Sequence, residues 1–141
     1  MEFVLEVTER QAQTLVIALD LWARLGSGDF AALLGHPDIS RRLTTDTGIT
    51  TEEVRRVLQH LAGAVFNLPA GASHSILSKD IHDSNRIAFD LMQAIRHRLA
   101  WSRAGNPPHR TTEMMSIAYD LPMQTGKDPL PLVQEKPAEA I

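Results

Sequence analysis

The sequence predicts an α+β fold that is mainly helical, and three observations carry that expectation. Apolar residues recur at spacings of three and four over three long stretches. Two of these open on a capping box, the signature of a helix N-terminus. The two ends of the chain carry short β-prone runs. The expected architecture is three long helices plus a short helix, with a small two-stranded antiparallel β ribbon formed from the chain ends. Residues 1–120 are expected to form a single globular domain, and residues 121–141 a proline-rich extended arm.

Each element follows from local chemistry. In EFVLEV, Phe3, Leu5 and Val7 alternate onto one face, which predicts a strand over Glu2–Val7. Thr8 and Gln11 then form a capping box, each side chain answering a backbone N–H that the first helical turn leaves without a partner. The helix they start runs to Leu25 and stops at Gly26. Ala12, Leu15, Val16, Leu19, Trp22 and Ala23 make one stripe on it, and Ile17, Leu21 and Leu25 a second. Two stripes predict a helix covered on most of its surface, either at the centre of the fold or at a subunit contact.

A short helix is expected over Asp29–Leu34, ended by Gly35 and Pro37. The polar stretch His36–Gly48 is ambiguous, with ISRRL a candidate for one or two further helical turns. Thr50 and Glu53 form the second capping box, opening a helix to about Phe66 that Asn67 and Pro69 terminate. The third long helix is predicted from about Ile81 to Arg103, closed by AGNPP. EMMSIAYDL reads as the second strand, Glu113–Leu121, a candidate partner for the first. Prolines 122, 129, 131 and 137 and the absence of periodicity predict the extended arm.

Composition narrows the function classes. With 43% hydrophobic and 22% charged residues, the chain has an ordinary soluble balance, and no apolar run approaches the roughly 20 residues of a membrane span. The N-terminus lacks the pattern of a secretory signal, so the expected compartment is the cytoplasm. The lack of cysteine removes disulfides, thiolate metal sites and cysteine nucleophiles. A net charge of −3 argues against coating duplex DNA, which requires a basic surface. The six histidines form no H-x-x-x-H or H-E-x-x-H pair, and no G-x-S-x-G or Walker signature occurs, so neither a metal, a cofactor nor an enzymatic reaction is expected.

The third long helix carries the candidate site. Ile87, Leu91, Ile95 and Leu99, with Ala88 and Met92, form its core stripe, while Arg86, Asp90, Gln93, His97 and Trp101 follow one another on a different face. Asn85, Phe89, Arg96 and Arg103 lie beside that face. Guanidinium forks suit phosphate oxygens, aromatic faces stack a nucleobase, and an amide reads a base edge. The candidate ligand-binding set is therefore Asn85, Arg86, Phe89, Asp90, Arg96, His97, Trp101 and Arg103, with a nucleotide as ligand. The same pattern also arises when Arg86 and Asp90 make a surface ion pair, Trp101 plugs the end of a core and the other arginines are solvated.

A second segment, ISRRLTTDTGITTEEVRRVLQHL, fits a helix-turn-helix pattern: Gly48 stands at the turn, with Leu43, Val54 and Val57 at apolar positions. Against DNA binding, Thr44 stands where a small residue is usual, and Glu52 and Glu53 occupy the end that would face phosphates.

Three stretches together resemble a known group. ALDLWARLGSGDF after an N-terminal strand, a late helix containing IRHRLAWSR, and a tail reading YDLPMQTGKDPLP are similar to small tailed-phage and prophage proteins. Within that group the size, element order and late arginine-bearing helix resemble the phage Thoeris anti-defence sponge family of the first type. The resemblance spans most of the chain except His36–Gly48 and the extreme C-terminus. It implies a protein that does no chemistry but binds a cyclic ADP-ribose immune signal, and in some members cyclic oligonucleotides, depriving a host effector of its activator. It further implies a homo-oligomer with ligand held between neighbouring subunits, in the cytoplasm of an infected host cell. A phage regulator or inhibitor acting by protein–protein contact, or through the helix-turn-helix segment, is the competing expectation.

Overall fold

The computed structural model describes residues 1–103 and 122–139. Among them, four α-helices and a 3₁₀ helix follow in order: α1 (Glu9–Gly26), the 3₁₀ helix Phe30–Gly35, α2 (Pro37–Thr44), α3 (Thr51–Phe66) and α4 (Asp83–Arg103). Both predicted capping boxes form. The Gln11 N–H donates to Thr8 Oγ1 at 3.2 Å and the Thr8 N–H to Gln11 Oε1 at 2.9 Å. Thr50 and Glu53 exchange the equivalent bonds at 3.2 and 3.1 Å. At the other end of α3, Asn67 takes the left-handed conformation, φ 54°, and its N–H closes the last turn on Gly63 O.

The expected β ribbon is absent: no strand occurs among the described residues, and the fold is mainly helical rather than α+β. Glu2–Val7 is the element corrected. A strand needs a ladder partner for its N–H and C=O groups and an apolar face to bury. Phe3 and Val4, on opposite faces of the run, are 87% and 94% exposed, so its alternation sorts nothing. The other expected strand, Glu113–Leu121, lies outside the described residues. In the middle of the chain, the short helix expected over Asp29–Leu34 is a 3₁₀ helix shifted by one residue, and the candidate turns at ISRRL form α2, eight residues long and started by Pro37 in its first turn.

Contacts gather into two units, Met1–Asp20 with Ile87–Ile141, and Leu21–Arg86. In the second, the 3₁₀ helix packs on α2 and α3, and α2 on α3. Phe66 is the centre of an edge-on aromatic cluster, its ring 5.7 Å from that of Phe30 and 6.2 Å from His74. Val54, Ala62, Ala23 and Ile81 are buried there. Asn85, also buried, donates through Nδ2 to the Trp22 carbonyl at 2.8 Å, which ties the start of α4 to the C-terminal part of α1. In the first unit Ala12, Ala88, Met92, Ala94 and Ala100 are buried.

These cores are lined by small side chains. No large side chain among the described residues is completely buried, whereas Ile17 and Trp22 on α1 are about half exposed. Within one chain only Ala12 and Ala23 of the first helix are buried, so of the two expectations from its stripes the central position is not met.

The Asn85 amide sits where a side chain on Gly26 would go, so a methyl group there overlaps it directly. Gly26→Ala should displace the amide from the Trp22 carbonyl and destabilise the chain by about 1–3 kcal/mol. Urea denaturation followed by circular dichroism measures this, with wild-type stability as the result that contradicts it.

Candidate functional site

Helix α4 distributes its predicted site residues among several distinct jobs. Asn85 holds the end of α1, as above. Arg86 donates through Nη2 to the Ser78 carbonyl, bracing the loop that leads into α4. Both belong to the Leu21–Arg86 unit. Phe89 is half-buried.

Asp90 lies in the other unit and is 4% exposed. Its carboxylate accepts the Thr125 N–H at 2.9 Å, the Thr125 hydroxyl at 2.6 Å and the Gly126 N–H at 2.8 Å. Such donors satisfy an acceptor-only group that would otherwise be costly to bury. At Gly126 the chain runs so close to the helix that a side chain would be crowded. A Cβ there would lie 3.1 Å from Ile87 Cγ1 and 3.2 Å from its backbone nitrogen. From this anchor the segment 122–139, which has no regular secondary structure, follows α4 toward its C-terminus. Glu135 there meets Arg98 at 3.3 Å and accepts the Ser102 hydroxyl at 2.9 Å, and Lys136 pairs with Glu6 at 3.4 Å.

His97 is buried, and the Trp101 indole N–H donates to its Nε2 at 3.2 Å. With Nε2 accepting, a neutral His97 ring carries its proton on Nδ1. The two rings are tilted, 6.3 Å apart.

Arg96 and Arg103 are the predicted residues brought to a common cavity. They stand seven positions apart, about two helical turns, and with Leu99 between them they form one wall of a groove. Gln13, Val16 and Ile17 of α1 form the other. The groove holds about 460 Å³, within the size range of small-molecule sites. Its floor is apolar, through Val16, Ile17 and Leu99, and its polar groups are two guanidiniums and one amide. Arg103 is oriented across the helix pair by Glu9, whose Oε1 accepts from Nη2 at 3.0 Å and from Nε at 3.2 Å.

The eight predicted residues thus do not share one surface. Gln13, Val16, Ile17 and Leu99 were missed because they come from a second helix, or from the core stripe of α4, and a single-helix wheel cannot show which helix faces it. The available signal was the second stripe of α1, to which Ile17 belongs. Thr125 and Gly126 were missed because an irregular arm has no periodicity to read. No group of three or more His, Asp or Glu side chains among the described residues is placed to hold a metal ion, and no described helix is long and apolar enough to cross a membrane.

Replacing Asp90 with Ala removes the carboxylate that accepts from the Thr125 N–H and hydroxyl and from the Gly126 N–H. The 122–139 segment should then become a much better protease substrate, with trypsin cutting after Lys127 at least tenfold faster than in wild type while the helical circular dichroism signal persists. An unchanged rate would show that the Arg98 and Ser102 contacts with Glu135 hold the segment unaided.

Comparison of the chain with protein-family models, with curated proteins and with solved structures gave no match.

Proposed function

We propose that this chain is a binding protein that captures a small anionic nucleotide, of the cyclic ADP-ribose class, and sequesters it without turnover. The observation that carries the reading is the groove between α1 and α4. Arg96 and Arg103 stand at an apolar floor of Val16, Ile17 and Leu99, with the Gln13 amide beside them. Guanidinium forks take up phosphate oxygens, the floor receives a base or ribose face, and the amide offers both a donor and an acceptor. Because Arg103 is already held by Glu9, part of the entropy cost of ordering it is met before ligand arrives. The role in phage anti-defence, in the host cytoplasm and as a homo-oligomer, comes from the sequence resemblance, and the exposed apolar side chains of α1 agree with assembly.

A second reading, a DNA-binding regulator, draws on the helix-turn-helix order of α2 and α3 and on Gly48, whose φ is +72° in the turn between them. It is the weaker of the two. Glu52 and Glu53 are exposed at the start of α3, where phosphates would approach, and the Glu53 carboxylate is committed to the capping box.

Thermal-shift and calorimetric titrations with ADP-ribose, cyclic ADP-ribose isomers and cyclic di- and trinucleotides test the proposal, with duplex DNA as the parallel probe. A nucleotide that raises the melting temperature and is released by heating with its mass unchanged supports sequestration. Loss of one charge-assisted contact is worth about 1.5–3 kcal/mol, so Arg96→Ala and Arg103→Ala should each weaken binding by roughly 10- to 100-fold. Glu9→Gln should act in the opposite sense, tightening binding several-fold by removing a carboxylate that competes with the ligand for Arg103. No shift with any nucleotide, or unchanged affinity in both arginine variants, would overturn the assignment of the groove; altered mass in the released compound would make the protein an enzyme.

A further inference from the structure

Helix α3 presents an exposed apolar ridge. Val57, Leu61 and Val65 follow one another at i, i+4 and i+8, and they are 66%, 51% and 62% exposed. His60 and Ala64 flank them and are also exposed. The opposite side of the helix is the one that faces inward, through buried Ala62 and the Phe66 ring. Scattered apolar residues are normal on a surface, but an aligned row of three on one helix is not. A ridge at i±4n spacing is the feature that packs into the matching groove of another helix.

From this ridge we infer that α3 pairs with α3 of a second copy of this chain, antiparallel, about a two-fold axis passing at Leu61. The first argument is self-complementarity. A two-fold interface brings one patch against itself, so its pattern must read the same after rotation. Val-x-x-x-Leu-x-x-x-Val does so about Leu61: in the antiparallel pair each Val57 lies beside the other copy's Val65, and the two Leu61 side chains meet at the axis.

The second argument is charge. The charged side chains of α3 are Glu52, Glu53, Arg55 and Arg56, all in its first two turns. From Val57 to Ser78 the sequence contains no Asp, Glu, Lys or Arg. Charge depletion of this kind marks the core of interfaces. A parallel pair would set Glu52 and Glu53 against their own copies, and Arg56 against Arg56. The antiparallel pair instead sets each charged start beside the uncharged end of the other helix, and it opposes the two helix dipoles. Like-charge conflict therefore selects the orientation.

The area sets the strength. One helix ridge covers less than the about 800 Å² per partner of a standard interface, so the pair is a concentration-dependent dimer and not an obligate one. The inference is independent of the nucleotide reading, since none of its residues lines the α1–α4 groove.

The natural absence of cysteine makes the test direct, because any introduced thiol is the only one present. Sedimentation velocity of the full chain across a hundredfold concentration range should show a monomer–dimer equilibrium. Leu61→Lys should raise the dissociation constant at least tenfold without changing the circular dichroism spectrum, since Leu61 is half exposed already. Under mild oxidation Leu61→Cys should form a disulfide dimer by itself. Val57→Cys and Val65→Cys should cross-link when mixed but poorly when alone. A wild-type chain that stays monomeric throughout, association unchanged by Leu61→Lys, or Val57→Cys and Val65→Cys that each cross-link only with themselves would overturn the proposal, the last by showing a parallel pair.

Discussion

The Asp90 carboxylate determines what α4 shows to its surroundings. A carboxylate that is 4% exposed must have its lone pairs filled, and the fillers here are the backbone and hydroxyl of a segment 35 residues further along the chain. Once Thr125 and Gly126 are fixed, the chain that follows has little choice of path. Ten residues later Glu135 meets Arg98 and Ser102, and one side of α4 is closed by that segment. The side turned toward α1 carries Arg96, Leu99 and Arg103 and forms a wall of the groove. A single buried acceptor thus fixes which face of α4 the 122–139 segment lies against.

The rest of the architecture follows from how little the helices bury. Alanines dominate the buried positions, and no large side chain among the described residues is completely enclosed. Small residues let helices approach closely but return little transfer free energy per residue. Polar contacts therefore carry an unusual share of the specificity: Asn85 on the Trp22 carbonyl, Arg86 on the Ser78 carbonyl, and the indole of Trp101 on His97. The first two tie α4 to specific carbonyls outside it, which fixes helix rotation in a way that alanine packing does not, and the third orders two side chains one turn apart on α4 itself. Several large apolar side chains, meanwhile, are exposed on α1 and α3: Ile17, Trp22, Val57, Leu61 and Val65.

Local signals proved readable and non-local ones did not. Both capping boxes, the termination of α3 at Asn67 and the end of α1 near Gly26 depend on neighbours within a few residues, and the sequence contains all of those neighbours. The ribbon failed for the complementary reason. The alternation of Glu2–Val7 is genuine, but a strand exists only by virtue of a partner, and nothing within the run specifies one. The site shows the same division. Arg96 and Arg103 were recognisable as cations two turns apart on one helix, while Gln13 and Ile17 became part of the groove only when α1 was placed alongside. Asp90 looked like a ligand-facing acceptor because the wheel put it among arginines, and its true donors come from an arm that leaves no periodic trace.

The Glu9–Arg103 pair ties the fold of this unit to the proposed capture of an anion. Exposed ion pairs contribute little to stability, so keeping one at the rim of a groove has small structural value. It has a larger consequence for binding. A guanidinium held by one carboxylate oxygen keeps its fork aligned across the helix pair. On the proposed reading, an arriving phosphate would therefore meet an arginine that is already ordered. The same carboxylate repels the incoming charge, which limits affinity and favours ligands that bring apolar surface to the Val16, Ile17 and Leu99 floor as well as phosphate. On the proposed reading a bare inorganic anion would gain only the phosphate contribution, whereas a nucleotide would gain both, and the groove would favour nucleotides over free phosphate by that difference.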